Sequence, residues 1–185
     1  MVLYVTRHGE TEYNARGRYC GSTDVPLNDA GVVQAGALAA RLRGMAFDAV
    51  VSSPMLRARQ TAEIVCAALN IPYVIYRQFA ERNLGVYEGL TRDEASERYP
   101  VLWSRRCTVS ADDAPDGGET IRQACGRIDE GLERLRGDYK NKNVLLICHG
   151  FAARAVHRYC RGLTYDEMAK FILGNCEIVK YELKF

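Results

Sequence analysis

Apolar residues fall along this chain in two alternating rhythms: short unbroken runs, and longer stretches with apolar positions three and four apart. The first unbroken run, Val2-Leu3-Tyr4-Val5, predicts a strand. Asn28-Asp29 then cap a helix with Val32, Ala35, Leu38, Ala39 and Leu42 on one face and Gly44 as its stop. Ala49-Val50-Val51-Ser52 predicts a second strand. Ser53 as N-cap and Pro54 as first helical residue open a helix that passes Thr61, Ile64, Val65 and Leu69 and stops at Asn70. Tyr73-Val74-Ile75-Tyr76 predicts a third strand.

Thr91 with Glu94 has the capping-box pattern of a helix start, and that helix should end near Pro100. Ser110 to Gly118 (SADDAPDGG) is acidic, rich in Pro and Gly, and loop-like. Ile121, Cys125, Ile128, Leu132 and Leu135 mark a long amphipathic helix. Val144-Leu145-Leu146-Ile147 is apolar without a break, which suits a central strand covered on both faces. A helix from about Phe151 ends at Gly162, and Thr164 with Glu167 opens another. The tail alternates Val179, Tyr181, Leu183 and Phe185 with Lys180, Glu182 and Lys184, as a half-exposed strand near an edge does. Strands alternating with helices predict one α/β domain over residues 1–185, a three-layer α/β/α arrangement with a mostly parallel sheet.

Composition narrows the class. With 185 residues the chain can bury a sizeable core, and 48% hydrophobic and 26% charged residues are ordinary for a globular protein. A net charge of +2 gives no bulk attraction for nucleic acid, so any functional positive charge must be local. No run approaches the ~20 apolar residues of a membrane helix, and Arg7 and His8 interrupt the first apolar stretch before it resembles a signal peptide. The seven cysteines include no CxxC pair and lie mostly inside apolar segments, so buried thiols in a reducing cytoplasm are expected.

The chemistry gathers where two strands end. YVTRHGE and LLICHGF each deliver a His-Gly pair at the carboxyl end of an apolar run, the edge at which open α/β sheets bind ligands. His8 and His149 therefore converge on one crevice. Arg7 precedes His8, Arg57 lies in the first turn of a helix, and Asn14 and Arg18 follow in the loop NARGRYCG. Guanidiniums at a helix N-terminus imply a phosphate or carboxylate ligand, and their presence beside the histidines argues against a divalent metal. Phosphoester cleavage needs a group that protonates the leaving oxygen and then deprotonates water, and a carboxylic acid with a raised pKa can do both. Glu81 is nearer the third strand's end than Glu88, so Glu81 is preferred and Glu88 is read as surface or structural.

RHGET at 7–11, Asn14, GRYCGSTDVPLNDAG, SSPMLRARQTAE, ERNLGVYEG, PDGGET and the late CHG together resemble the histidine phosphatase superfamily, the phosphoglycerate mutase-like proteins, from residue 2 to about 180. The resemblance implies that His8 attacks phosphorus and becomes a phosphohistidine, its other ring nitrogen bonded to nearby backbone. It implies that Arg7, Arg57 and His149 hold the transferring phosphoryl group, that Glu81 is acid and then base, and that Asn14 bonds the phosphate. It extends the phosphate- and substrate-binding set to Thr11, Arg18, Cys20, Gly21 and Gly150. No metal or organic cofactor follows from it. The expected ligand is a small phosphorylated metabolite of sugar-phosphate, phosphoglycerate or α-ribazole phosphate type.

The family's mutases carry a long insertion after the catalytic glutamate, whereas here only residues 82–114 separate Glu81 from PDGGET. They also usually have an asparagine after the late His-Gly, where this chain has Phe151. A short lid admits water to a phosphohistidine, which favours hydrolysis over return transfer. A phosphoglycerate mutase is the alternative, and a non-catalytic binding protein on the same fold the second alternative. The segment around Trp103, Arg105 and Arg106 is expected to face the leaving group, with the arginine pair either binding a second acidic group or simply solvated. His157 and Cys148 are read as packing residues, and Cys20 as the thiol to test for oxidation.

Overall fold

The unbroken apolar runs pair with one another. In the computed structural model, which describes residues 1–183, five strands form one sheet. They are β1 (Val2–Arg7), β2 (Ala49–Ser52), β3 (Tyr73–Ile75), β4 (Asn143–Cys148) and β5 (Ile178–Glu182), in the order β3-β2-β4-β1-β5. All neighbours run parallel except β5, which lies antiparallel to β1 at one edge. Tyr181 is buried there while Lys180 and Glu182 are exposed, as the alternating tail requires. Lys184 and Phe185 lie outside the described residues.

The helices are α1 (Glu12–Ala15), α2 (Asp29–Leu42), α3 (Leu56–Leu69), α4 (Arg92–Arg98), α5 (Pro100–Ser104), α6 (Ile121–Asp138), α7 (Gly150–Arg161) and α8 (Tyr165–Met168). Because successive strand residues point to opposite faces, each central strand feeds two cores. Leu3, Val5, Val51, Val144 and Leu146 pack with α6 and α7, through Ile128, Leu132, Leu135, Ala152 and Val156. Val50, Leu145 and Ile147 pack with α2 and α3, through Leu38, Leu42, Ala58, Ala62 and Val65. Sequestering side chains of this size contributes about 1.5–3 kcal/mol each, and the sheet centre collects most of them. A small third cluster, Tyr87, Ala95, Leu102 and Cys107, holds α4 and α5 beside the sheet.

Several boundaries depart from the sequence reading, each for a local reason. Helix α3 starts at Leu56 with Met55 as N-cap and no side-chain cap; the Ser53 hydroxyl lies two residues earlier, where it accepts from Met55 N and meets His149 Nε2. Val32 is 49% exposed and Gly31 takes the inner position instead. There a Cβ would meet the Glu10 carbonyl oxygen at 2.1 Å. Asn14 belongs to the short helix α1, capped by Thr11, rather than to a loop. Pro100 does not merely close α4; it occupies the first turn of a separate helix, α5. β3 stops at Ile75, and the 3-10 turns Arg77–Phe79 and Gly85–Tyr87 carry the chain onward.

Candidate active site

Register brings the two His-Gly pairs together. β1 and β4 are parallel neighbours with Arg7 opposite Cys148, so His8 and His149 leave the sheet side by side. Their ring centroids are 5.0 Å apart. The chain leaves β1 for α2 on one face of the sheet and leaves β4 for α7 on the other, which opens a crevice between those strand ends.

His8 is buried and fixed on three sides. Its backbone N–H donates to Cys148 O at 3.0 Å, its carbonyl accepts from Asn175 Nδ2 at 2.8 Å, and its ring Nδ1 lies 2.6 Å from Gly9 O. A carbonyl can only accept, so Nδ1 carries the hydrogen and Nε2 keeps its lone pair. Arg57 Nε donates to that Nε2 at 3.3 Å. Gly9 is needed by contact, since a Cβ would lie 2.4 Å from Gly31 O. Its N–H donates to Thr61 Oγ1 at 3.1 Å, so α3 grips the turn as well.

Arg57 is fully buried, and two of its four remaining N–H groups are held by the loop after α1: Nη1 donates to Thr23 O at 2.9 Å and Nη2 to Gly21 O at 2.7 Å. That loop is in turn clamped by Glu88. Its carboxylate accepts from the N–H groups of Gly21, Ser22, Thr23 and Leu84 and from Thr23 Oγ1. Burial pushes the Glu88 carboxyl up, but these bonds outweigh it and hold it below the ordinary glutamate value. Glu88 is therefore structural, in a more demanding sense than a surface residue.

His149 is buried, with Nε2 2.6 Å from Ser53 Oγ. Burial first, then Arg57, His8 and Arg7, hold the His149 imidazole well below its ordinary pKa; burial, Arg57 and Arg7 do the same to His8. Both rings are thus neutral near pH 7. Among the described residues Arg7 Nε and His149 Nδ1 are buried without a hydrogen-bond partner. Two buried nitrogens beside Arg57 are groups with which an anion could pair.

Glu81 stands at the amino end of α7: Oε2 accepts from Phe151 N at 3.1 Å, and Oε1 from Ala152 N at 3.3 Å and Arg82 N at 2.9 Å. Gly150 lies against both groups, and a Cβ there would meet Arg7 at 3.8 Å and Glu81 Oε2 at 3.9 Å, ordinary van der Waals contact. Cys20 and Glu81 share a cleft of about 240 Å³ with Tyr19, Leu84, Val109, Phe151 and Arg154. A second cleft of about 410 Å³ shares Val109, Phe151 and Arg154, then continues to Arg106, Tyr165 and Met168.

Two substrate-binding expectations need correction. Arg18 turns away to donate to Gly89 O and to pair with Glu94 at 2.7 Å, because that carboxylate already caps α4 beside it. Arg105 pairs with Asp113, leaving Arg106 as the member of the pair that lines the cleft. Thr11 and Asn14 exchange hydrogen bonds, Asn14 N to Thr11 Oγ1 and Thr11 N to Asn14 Oδ1, at 3.2 Å each. Burial raises the Cys20 thiol above its ordinary pKa, and raises Cys148 further. His157 packs face to face on Phe171 at 4.0 Å.

Ser53, Thr61, Arg82 and Asn175 are the site's supports that the sequence reading missed. Arg82 donates to Glu119 O, Thr108 O and Cys107 O, tying the cleft wall to the loop segment that carries Glu81. Only the SSP stretch before Arg57 signalled any of them, and it reads equally well as a helix cap. Among the described residues no three His, Cys, Asp or Glu side chains gather to hold a metal ion.

Comparison with known proteins bears on what this arrangement does. Residues 3–184 match the model of the histidine phosphatase superfamily (branch 1). The chain belongs to that superfamily. It is 35% identical over 155 residues to an uncharacterized phosphatase, PhoE, of Bacillus subtilis, covering 84% of this chain and 75% of that one. It is 29% identical over 182 residues to a probable phosphoglycerate mutase, GpmB, of Escherichia coli, covering 98% and 85%. The solved α-ribazole phosphatase of Shigella flexneri superposes with a TM-score of 0.92 at 25% identity, covering 100% of this chain and 91% of that one. This histidine phosphatase is a phosphoric monoester hydrolase.

Proposed function

We propose that the chain hydrolyses small phosphomonoesters through a phosphohistidine formed on His8. The observation that carries this reading is the polarity of the His8 ring. Nδ1–H is committed to Gly9 O, and bare Nε2 faces Arg57 Nε at 3.3 Å in a buried, cation-lined crevice. In the first step Nε2 forms a bond to phosphorus as the bond from phosphorus to the leaving oxygen breaks. Glu81, at the cleft mouth, gives that oxygen its proton. Arg7, Arg57 and His149 face the phosphoryl oxygens and offset their charge. In the second step water attacks phosphorus, Glu81 takes the water's proton, and the bond to His8 breaks to return free imidazole and inorganic phosphate.

Hydrolysis is favoured over mutase transfer because a leaving alcohol here sits in a cleft open to water, walled by one short helix pair and a loop. The cleft suits a leaving group with an apolar or ring-bearing body against Phe151 and Val109 and an acidic or polar end near Arg154 and Arg106. The reaction needs no metal. Seven free thiols suit the reducing cytoplasm as its setting.

The test is phosphate release from a panel of phosphomonoesters, 3-phosphoglycerate included, by wild type and His8→Ala. Release by wild type and its loss by several orders of magnitude in the variant are expected, together with an acid-labile phosphoryl label on wild-type enzyme. Formation of 2-phosphoglycerate with a bisphosphate primer and no release of phosphate would turn the assignment to the mutase.

A further inference from the structure

The sequence singled out Ser53 as a helix cap, and the fold gives it a different task. Its side chain is fully buried, with Oγ 2.6 Å from His149 Nε2 and accepting from Met55 N at 3.3 Å. A hydroxyl has one hydrogen to place. Among the described residues His149 Nε2 is the acceptor within reach of that hydrogen. Were Nε2 to carry a proton and donate to Oγ, the Ser53 hydrogen would be buried with no acceptor, at the full cost of an unmade bond. The hydrogen bond therefore runs from Ser53 to His149.

We infer that Ser53 is a positioning residue that fixes His149 in the Nδ1–H form, so that the buried, unpartnered Nδ1 presents a donor to a phosphoryl oxygen. The two imidazoles at the strand ends are then set in opposite senses. His8 gives its Nδ1–H to Gly9 O and keeps Nε2 bare for attack. His149 gives up its Nε2 lone pair to Ser53 and keeps Nδ1–H for the anion. The reversed His149 tautomer would aim a lone pair at the phosphate and lose the interaction altogether. Low pKa values in both rings keep the distinction in force, because a neutral imidazole has one hydrogen and its location matters. The division of labour rests on the phosphatase reading above, but the tautomer of His149 does not.

The experiment is nitrogen-15 NMR of the three imidazoles in the ligand-free protein, with His149→Asn and His8→Asn used to assign the rings. Wild type should show His149 protonated at Nδ1 and bare at Nε2, and His8 likewise protonated at Nδ1. Ser53→Ala should move His149 toward a mixture of forms and weaken orthovanadate binding roughly tenfold or more, the scale of a lost hydrogen bond to a charged group. Ser53→Thr, which keeps the hydroxyl, should restore both. A wild-type His149 protonated at Nε2 would overturn the inference even if Ser53→Ala failed to fold. So would a Ser53→Ala protein that loses vanadate affinity with its His149 tautomer unchanged, since the serine would then only be packing. Failure of the phosphatase reading would appear separately, as no phosphate release from wild type with the tautomers as stated.

Discussion

Each ring nitrogen of His8 and His149 is assigned by what stands next to it: a carbonyl for one, an arginine for the second, a serine for the third, and no protein partner among the described residues for the fourth. At this scale the sequence shows residue type and loses orientation. RHG and CHG located both histidines because each closes an apolar run, and strand periodicity carries such pairs to one edge. Arg18 misled because a guanidinium's partner depends on Glu94, 76 positions away, which spacing does not reveal. Arg106 makes the same point in the other direction. It sits in a left-handed backbone conformation, φ 54, and lines the far cleft while Arg105 is neutralised by Asp113. Arg106→Gly relieves that conformation, by ~1 kcal/mol, while adding comparable freedom to the unfolded chain, so stability should change by less than about 1 kcal/mol. Its KM for phosphomonoesters with a second acidic group should rise several-fold, with kcat nearly unchanged. KM for esters with a neutral leaving group should stay the same. Steady-state kinetics on one ester of each kind decide it, and equal effects on both would remove Arg106 from recognition.

Elements were legible where their periodicity was strong. β1, β4 and the helices flanking them followed from unbroken runs and capping residues, and Thr91 and Thr164 cap helices in the structure as their spacing required. What escaped was stabilised from a distance. α1 and the two 3-10 turns are too short to show a period, and the loop from Arg18 to Thr23 has no regular structure at all. It is ordered by Glu88, whose carboxylate takes its N–H groups while its carbonyls take the Arg57 guanidinium. One surface of the loop thus binds a carboxylate and the other orients an arginine toward His8. Glu88→Ala leaves five donors to find water in a half-buried place. We expect a loss of about 2–4 kcal/mol by urea denaturation, discounted from the sum of the bonds because water replaces several of them. kcat/KM should fall about tenfold through the misdirected Arg57, and Glu88→Gln should recover part of both. A variant as stable as wild type but equally slow would mean that Glu88 acts on the site by another route.

At the scale of the whole molecule, the strand ends bury a polar cluster almost as deeply as the sheet centre buries its apolar one. His8, His149, Arg57, Ser53 and Thr61 are enclosed where the two apolar cores meet the strand ends. Folding therefore strips water from two imidazoles beside fixed cations, and this couples stability to pH. Both rings have folded pKa values well below 6.5, through burial first and then through Arg57. In the unfolded chain they titrate near 6.5, so below that pH the unfolded state binds more protons than the folded one. Their contribution is fully present above about pH 6.5 and is lost as pH falls toward their folded values. The slope should reach about 1.4 kcal/mol per pH unit for each ring once it is protonated in the unfolded chain. Glu88, held below 4.5, contributes only at more acid pH and leaves the window between about 4.5 and 6.5 to histidine. His157 is also lowered, by burial and then Arg161, but it is partly exposed and adds less. Denaturant unfolding at pH 7.5, 6.5, 5.5 and 4.8 should show a plateau and then a fall, and His8→Asn should remove about one proton from the slope. Inorganic phosphate should flatten the fall further, since an anion between the rings compensates the charge they gain. A flat profile to pH 5 in wild type would mean that the two buried rings titrate as they do in the unfolded chain, and the coupling of stability to their burial would fail.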